Sequence, residues 1–280
     1  MQIGGALDNA FEHPCFTKGA ARRFGRIHLP VAPDCNIKCR YCTRKHDCAN
    51  ESRPGVTSRL LTPPEAIERL SRVVDKDPRI RVAGIAGPGD PLANLETLDT
   101  LRLVHERFPR LIKCISTNGL ALPEYALLLK AFGVQTVTVT VNAIDPAVGA
   151  QVYEYVNFRG DVLRGADAAS LLWSQQAEGI VEAVRLGMRV KINSVYIPGV
   201  NDRHLSKVAR TMANLGVHLM NIIPLIPLSD FANLVPPSVK ELTFVRTVCR
   251  QYIPQMDWCR QCRADAAGLL ISQLVNQPVR

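Results

Sequence analysis

Short apolar segments alternate with longer amphipathic segments along most of the chain, and this pattern predicts repeated strand–helix units. The predicted strands span 26–31, 80–86, 111–117, 134–142, 188–197 and 217–223. The predicted helices begin at 62 and then span 93–108, 123–132, 171–186, 201–214 and 238–252. Strands that alternate with helices form parallel sheets with right-handed crossovers. Six consecutive units therefore predict an α/β fold whose sheet is either curved like a barrel or doubly wound.

Capping and breaking residues support two of the predicted helix ends. Thr62 and Glu65 have the spacing of a capping box, and the two prolines between them suit the first turn of a helix. Pro109 follows the segment 93–108 and is expected to end that helix, because proline lacks the backbone N–H that a helix interior needs.

Polar, glycine-rich or proline-rich loops follow the predicted strands. The first loop contains three cysteines within 35–42, and the second reads Gly87-Pro88-Gly89-Asp90-Pro91. The remaining loops span 116–119, 142–145, 197–201 and 224–227. In βα barrels, loops at the carboxyl ends of the strands build the active site. The unusual residues of these loops therefore favour a barrel-like sheet with a functional site at that end.

Alternation within two strands predicts a polar interior. One face of the fourth strand carries Thr138, Thr140 and Asn142, whereas valines occupy the opposite face. We expect the polar face to line an internal cavity, and a solvated edge strand is the alternative. One face of the third predicted strand and its loop carries Cys114, Ser116 and Asn118. If Ser116 and Asn118 line that cavity, Cys114 would point into it as well.

Composition narrows the class of protein. The chain has 280 residues, 47% of them hydrophobic, without an apolar run long enough to span a membrane and without a charged-then-apolar leader. We therefore expect one large domain in a soluble, cytoplasmic protein without a membrane partner. The formal charge of +9 would suit nucleic acid, but the basic residues are scattered and aromatic residues amount to 6%. A nucleic-acid partner is not expected.

The nine cysteines predict metal sites rather than disulfides. The count is odd and the cysteines are clustered, whereas a disulfide framework favours an even number in a small secreted chain. Three of them, Cys35, Cys39 and Cys42, have the spacing C-x3-C-x2-C. Three thiolates leave one iron of a [4Fe–4S] cluster open for another ligand. A zinc site with Cys48 as the fourth ligand is the alternative.

Further candidate ligands lie on both sides of the predicted barrel. They are His13, Cys15, Cys48, Cys114, Cys259 and Cys262. Six ligands suffice for two more three-ligand sites, although a single C-x2-C pair also suits a redox pair or half of a zinc site. Cys249 shares a predicted helix face with Val245, and we assign it to the core.

The cysteine loop resembles that of the radical S-adenosylmethionine superfamily, in which an aromatic residue, here Tyr41, precedes the third cysteine. The resemblance covers 26–230 and implies a partial (βα)6 TIM-like barrel with extensions at both ends. It implies that the open iron chelates the methionine group and that cleavage of the sulfonium yields a 5′-deoxyadenosyl radical. Cofactor-binding residues would be Tyr41, Gly87, Gly89, Asp90, Ser116, Asn118, Thr140 and Asn142.

Three longer segments narrow the resemblance to the NifB family, which acts in nitrogenase cofactor assembly. They read EHPCF, HLPVAPDCNIKCRYCTRKHDCANESRPGV and CRQCRADAAGLL. The resemblance implies that two substrate [4Fe–4S] clusters are fused with a carbide from S-adenosylmethionine and an extra sulfur. It implies methyl transfer to a cluster sulfide followed by hydrogen abstraction, a lyase-type radical reaction.

The same resemblance implies which residues hold the three clusters. Cys35, Cys39 and Cys42 would hold the radical-generating cluster. One substrate cluster would bind His13, Cys15 and Cys48, and the other would bind Cys114, Cys259 and Cys262. Glu51 would be a transient ligand or proton acceptor, with a solvated loop acid as the alternative.

The expected organisation is an N-terminal ligand extension at 1–25, a barrel at 26–252 and a C-terminal extension at 253–280. Many relatives carry an additional cofactor-binding domain, so the sequence resembles the short form or a truncated one. Expected partners are an iron–sulfur cluster donor, carrier or scaffold proteins of nitrogenase assembly, and an electron donor such as a ferredoxin. Two alternatives remain: a radical enzyme with auxiliary clusters acting on a peptide or small molecule, and a metal-dependent nucleic-acid binder.

Overall fold

The computed structural model describes residues 11–45, 47–48, 57 and 59–270. Its strands are β1 (Gly25–His28), β2 (Ile37–Cys39), β3 (Ile80–Ile85), β4 (Ile112–Thr117), β5 (Val134–Thr140), β6 (Tyr153–Phe158), β7 (Asp161–Leu163), β8 (Arg189–Tyr196), β9 (Leu219–Pro224) and β10 (Ala267–Leu269). Its helices are α1 (Pro63–Lys76), α2 (Leu95–Arg107), α3 (Leu122–Ala131), α4 (Pro146–Val152), α5 (Gly165–Arg185), α6 (Leu205–Asn214) and α7 (Val239–Arg250).

A seven-stranded sheet forms the centre of the molecule, with the order β10-β1-β3-β4-β5-β8-β9. Every neighbouring pair from β1 to β9 is parallel, and β10 pairs antiparallel with β1. The sheet curls into a half-barrel with helices on its outer side. All six predicted strands are present, so the predicted partial (βα)6 barrel is confirmed.

The outer face of the sheet packs against the helices and contains most of the core. Val137 and Val139 of β5 are fully buried there, together with Ile192 of β8. Leu129 of α3 and Ile180 of α5 belong to the same cluster of buried apolar side chains. The valine face of the fourth predicted strand is therefore its helix-facing side, as the period-two pattern requires.

The inner face of the sheet is polar and buried. Thr136, Thr138 and Thr140 of β5 are at most 3% exposed, and β5 lies between β4 and β8. The alternative of a solvated edge strand is therefore wrong. The threonines face the interior of the half-barrel, where Thr138 and Thr140 line two cavities described below.

A three-stranded antiparallel sheet, which the sequence pattern did not predict, lies beside the cysteine loop. Its order is β2-β6-β7, and Ile37 pairs with Val156. The segment before α5 contains α4 and the β6–β7 hairpin, and α5 begins at Gly165 rather than at the predicted position 171. β2 was missed because it has three residues and its pairing partner, β6, is far away in sequence, so periodicity gives no local signal.

The α1 and α2 boundaries follow local capping chemistry. Thr62 and Glu65 form the predicted capping box at the start of α1. The predicted helix at 93–108 is shorter at its start, because Pro91–Ala93 forms a 3₁₀ turn capped by a hydrogen bond from the backbone N–H of Leu92 to the Asp90 carboxylate. α2 ends at Arg107, two residues before Pro109.

The described part of the C-terminal extension is joined to the edge of the half-barrel. β10 pairs with β1, and a guanidinium nitrogen of Arg26 donates to the Gly268 carbonyl oxygen. The division at 1–25, 26–252 and 253–280 stays a prediction. Residues of the last segment form β10, which adds a strand to the barrel sheet. Among the described residues, no helix combines the length and apolar character needed to cross a bilayer.

Candidate functional site

A cavity of about 300 Å³ lies at the carboxyl ends of the first parallel strands. It is lined by nine of the sequence-predicted residues together with Cys48. Those nine are Cys35, Cys39, Tyr41, Cys42, Gly89, Asp90, Ser116, Asn118 and Thr140. The structure thus brings the three-cysteine loop and the loops after β3 and β4 to one side of the molecule. We call this space the first cavity.

The glycine-rich loop supports the segment that leads to Cys35. The backbone N–H of Gly89 donates to the Ala32 carbonyl at 2.6 Å, and that of Asp90 donates to the Asp34 carbonyl at 2.7 Å. A Cβ atom on Gly89 would lie 2.1 Å from the Asp34 carbonyl oxygen, so only glycine allows this close approach. Contact between two backbones therefore fixes the start of the cysteine loop.

Asp90 links the glycine-rich loop to the end of β4. Its buried carboxylate accepts hydrogen bonds from the Thr117 hydroxyl and from the backbone N–H groups of Leu92 and Asn118. Burial raises the pKa of the Asp90 carboxyl to about 6, although these hydrogen bonds favour the ionised form. These contacts make Asp90 a structural link in the cavity wall, and its predicted role in cofactor binding stays a prediction.

Asn118 lies closest to the first cysteine. Its side-chain nitrogen is 3.7 Å from the Cys35 sulfur and donates to the Asn36 side-chain oxygen at 2.6 Å. Gln176 of α5 donates to the carbonyl oxygens of Asn118 and Thr140, at 2.7 and 2.9 Å. The ends of β4 and β5 are therefore held together by a buried amide. Neither Asn36 nor Gln176 was predicted, because a lone amide on a loop or helix carries no recognisable pattern.

Asn142 supports the wall of the first cavity rather than lining it. Its side-chain nitrogen donates to the Tyr41 hydroxyl at 2.7 Å, and its side-chain oxygen accepts from the Val195 backbone N–H at 2.8 Å. Because both ends of the fully buried amide are engaged with protein atoms, its predicted role in cofactor binding has no support from its contacts. Tyr41 does line the cavity.

A second, smaller cavity of about 50 Å³ lies deeper in the half-barrel. Five of the six further candidate ligands line it, namely His13, Cys15, Cys114, Cys259 and Cys262. Ser116 lines both cavities, so they are adjacent. Cys114 lines this space together with Ser116, whereas Asn118, which was predicted to share a cavity with both, lines the first cavity. Cys48, by contrast, lines the first cavity, and the division of the six residues into two sets stays a prediction.

The His13 ring is neutral and points a nitrogen into buried space. Its Nδ1 accepts the Cys15 backbone N–H at 3.1 Å, whereas its Nε2 is buried and has no hydrogen-bond partner among the described residues. Burial, followed by the nearby Lys191 and His28, holds the pKa of His13 well below its ordinary value. An unsatisfied buried ring nitrogen is expensive. Nε2 could bind a metal only in the other tautomer, in which Nδ1 carries the proton and no longer accepts the Cys15 N–H.

The C-terminal extension brings Cys259 and Cys262 to the second cavity. His28 of β1 lies with its Nδ1 3.0 Å from the Arg263 carbonyl, and Arg26 donates to the Cys262 sulfur at 2.7 Å. Asp47 accepts the Ala264 backbone N–H at 3.1 Å. These contacts place the C-x2-C pair over the interior although it lies beyond the last barrel helix. Glu51 falls outside the described residues, so its predicted role is not addressed.

The sequence also matches known proteins. The family model of the Radical SAM superfamily matches residues 29–212. The chain is 46% identical over 261 residues to the FeMo cofactor biosynthesis protein NifB of Methanocaldococcus jannaschii, covering 92% of this chain and 86% of that protein. This chain belongs to the NifB family of the radical SAM superfamily.

Other NifB-family members are longer than this chain. The chain is 43% identical over 265 residues to the FeMo cofactor biosynthesis protein NifB of Chlorobaculum tepidum, covering 94% of this chain but 62% of that protein. Among solved structures, methylornithine synthase superposes with a TM-score of 0.56 at 15% identity, covering 84% of this chain and 65% of that one. That likeness supports the half-barrel fold alone.

The first cavity fits the [4Fe–4S] cluster and S-adenosylmethionine that membership of this superfamily implies. It offers three thiols on one loop, and the nine cysteines, all among the described residues, form no disulfides. Burial raises the pKa of the Cys35 thiol to about 11, so binding iron must displace a proton. No three His, Cys, Asp or Glu side chains in the described ranges converge on one point. A cluster does not need this, because each thiolate binds a different iron.

Proposed function

We propose that the first cavity generates a radical. Cys35, Cys39 and Cys42 would hold a [4Fe–4S] cluster, and S-adenosylmethionine would bind its open iron through the amino and carboxylate groups of methionine. When bound, this cluster supplies the electron that splits the sulfonium to give a 5′-deoxyadenosyl radical. The chain's own residues would position the cofactor: Asn118 beside Cys35, and Asp90 by fixing the loop after β3.

The second cavity would receive the substrate. We infer that two substrate [4Fe–4S] clusters are fused there into an eight-iron precursor of the nitrogenase cofactor, with an interstitial carbide and an added sulfur. One S-adenosylmethionine would give its methyl group to a cluster sulfide. A second would give the radical, which removes one hydrogen atom from that methyl group and becomes 5′-deoxyadenosine. The two remaining hydrogens would leave as protons, and their bonding electrons would pass to the cluster irons.

One observation supports this proposal most directly: Ser116 lines both cavities. A radical formed in the first cavity would therefore be close to a substrate held in the second. The second cavity also contains a histidine beside its cysteines. Imidazole binds iron less strongly than thiolate, and weaker ligation suits a substrate that must be released as product.

The partners follow from this chemistry and belong to the same proposal. A cluster donor protein would supply the substrates, an electron donor such as a ferredoxin would reduce the radical cluster, and carrier or scaffold proteins of nitrogenase assembly would accept the product. We expect this chain to act in the cytoplasm.

Iron and sulfide analysis of anaerobically reconstituted protein tests the proposal. Three clusters correspond to about twelve irons per chain, whereas a radical enzyme with one or no auxiliary cluster would bind about eight or four. The same sample is then incubated with S-adenosylmethionine and reductant, and the product is offered to nitrogenase lacking its cofactor, together with the scaffold proteins that convert the precursor into cofactor. About four irons and no activation would refute cluster fusion, and zinc in place of iron would refute the radical site itself.

A further inference from the structure

The second cavity contains two buried cations that the proposed ligand sets do not use. Arg26 of β1 is fully buried and Lys191 of β8 is 6% exposed, and both line this cavity. Arg260 also lines it, from an exposed position. Arg26 and Lys191 therefore bring positive charge to the wall of an internal cavity, where its effect on an anionic ligand is screened little by solvent.

Strand geometry directs both side chains into the half-barrel. Lys191 alternates along β8 with Val190 and Ile192, which belong to the core on the helix-facing side. In the sheet, Lys191 pairs with Thr138 of β5, which lines the same cavity. The Arg26 position alternates in the same way with the core residue Ile27. Both cations therefore project from the parallel sheet.

Four thiols line this cavity among the described residues. They belong to Cys15, Cys114, Cys259 and Cys262. Cysteine binds iron as the thiolate, so a loaded cavity would place negative charge beside the two cations.

We propose that Lys191, assisted by Arg26, is a positioning residue that holds anionic iron–sulfur cargo in the second cavity by charge. The proposal rests on the proposed function, because it concerns the substrate clusters. A +2 cluster held by three thiolates carries a net charge of about −1. Lys191 would retain the cargo until fusion is complete and stabilise its reduced state.

Lys191 is the better residue to test, because Arg26 also makes structural contacts with the C-terminal extension. The Arg26 guanidinium donates to the Gly268 carbonyl and to the Cys262 sulfur, so it also fastens the C-terminal extension. The Lys191 ammonium nitrogen lies 5.7 Å from the centre of the Phe16 ring. Substituting Lys191 would therefore remove a charge with a smaller effect on the backbone of that extension. A substitution of Arg26 would remove its charge and also its contacts with the extension that carries the C-x2-C pair, so the two effects could not be separated.

The test compares Lys191→Met with Lys191→Arg, which keeps the charge. Lys113→Met is the matched control, because Lys113 is equally buried on β4 but donates to the Leu111 carbonyl and lines neither cavity. Each protein is reconstituted anaerobically, its irons are counted, and release to an iron chelator is followed with time. Formation of 5′-deoxyadenosine reports on the first cavity in the same samples.

We expect Lys191→Met to lose the substrate-cluster irons to the chelator about tenfold faster than the parent, the order expected for one unit charge near a partly buried anion. The reduction potential of the remaining substrate-cluster signal should become more negative, because a nearby cation stabilises the reduced state. Lys191→Arg should restore both properties, Lys113→Met should match the parent, and all variants should still form 5′-deoxyadenosine.

Parent-like iron release and potential in Lys191→Met would overturn the inference and leave the proposed function intact. If the parent itself bound only four irons, both would fail together. Thermal unfolding identifies a misfolded variant, and Lys191→Gln, which is neutral but polar, replaces Lys191→Met in that case. Failure of Lys191→Arg to restore iron retention would also overturn the inference, because charge would then not be the property that matters.

Discussion

The Thr117 hydroxyl lies within hydrogen-bond distance of both carboxylate oxygens of Asp90, at 2.9 and 3.0 Å. The same carboxylate accepts the backbone N–H groups of Leu92 and Asn118. Asp90 therefore ties the loop after β3 to the end of β4, and through Asn118 to the surroundings of Cys35. Asp90, the acid of the glycine-rich loop, thus helps to shape the site through its hydrogen bonds to other residues of the protein.

Changing Asp90 to Asn should destabilise the protein, because an amide would turn N–H donors toward the N–H groups of Leu92 or Asn118. We expect a loss of about 1 to 3 kcal/mol in unfolding free energy, the range for leaving buried donors unsatisfied. Urea unfolding of the metal-free protein measures it. Thr117→Val should cost less, because the two backbone donors keep their carboxylate. Equal stability of Asp90→Asn and the parent would show that this link is not needed.

Gly89→Ala tests the close approach of two backbones beneath the cysteine loop. The new Cβ would lie 2.1 Å from the Asp34 carbonyl oxygen, so the segment before Cys35 must move. We expect destabilisation of about 1 to 3 kcal/mol, typical of overpacking, and weaker retention of the radical cluster.

Gly19→Ala is the matched control for Gly89→Ala. A Cβ at Gly19 meets nothing within 4 Å, and its φ of −64° suits alanine. This variant should unfold at or slightly above the parent temperature, because alanine reduces the freedom of the unfolded chain. Iron content measured after reconstitution should fall in Gly89→Ala alone, and an equal fall in both would mean that the backbone contact is unimportant.

Sequence patterns predicted the half-barrel well because its strands alternate locally. Thr138 and Thr140 could be assigned to the interior from alternation alone, and Cys114 from its shared face with Ser116. The same alternation in RIHL and VKIN would have identified Arg26 and Lys191 as inward-facing, had charged residues in strands been considered. That signal was present and was overlooked.

Other parts of the site depend on contacts between distant residues and have no local pattern. β2 exists because Ile37 pairs with Val156. Gln176 matters because its amide reaches the carbonyl oxygens of Asn118 and Thr140 across the interior. The entry of Cys259 and Cys262 into the second cavity depends on the pairing of β10 with β1. Such features follow from tertiary structure and could be found only there.

The stability of the protein should decrease in mild acid partly through His218. Its Nδ1 accepts the Val190 backbone N–H at 3.2 Å, and burial, followed by the Arg189 charge, lowers its pKa. A lowered histidine pKa gives stability that is fully present above the ordinary value of about 6.5 and is lost as pH falls through the folded-state value.

His218→Asn removes the titrating group and keeps a side-chain oxygen near the position of Nδ1. Unfolding free energies at about pH 8 and pH 5 should therefore differ less in the variant than in the parent. His13 and His28 also titrate with lowered pKa values, but they are present in both proteins and cancel in the comparison. An identical pH dependence in the two proteins would exclude a contribution from His218.

Paired cysteine variants should separate radical generation from cluster carriage. Cys39→Ala leaves two of the three cysteines of the C-x3-C-x2-C loop, so we expect it to lose the radical cluster and with it the formation of 5′-deoxyadenosine. Cys262→Ala changes the second cavity, where that sulfur accepts a hydrogen bond from Arg26. The β10–β1 pairing and the bond from Ala264 to Asp47 do not involve the Cys262 side chain, so the extension should stay in place.

Cys262→Ala should therefore lose about four irons, one substrate cluster, and still cleave S-adenosylmethionine. It should yield no eight-iron product able to activate cofactor-free nitrogenase. Cys249→Ala is a control for the loss of a thiol, because Cys249 is fully buried in the core on α7, away from both cavities. It should lose stability and no iron. If Cys262→Ala kept all its irons and still formed product, the C-x2-C pair would not carry substrate. A radical enzyme with auxiliary clusters and a different substrate would then be the better explanation.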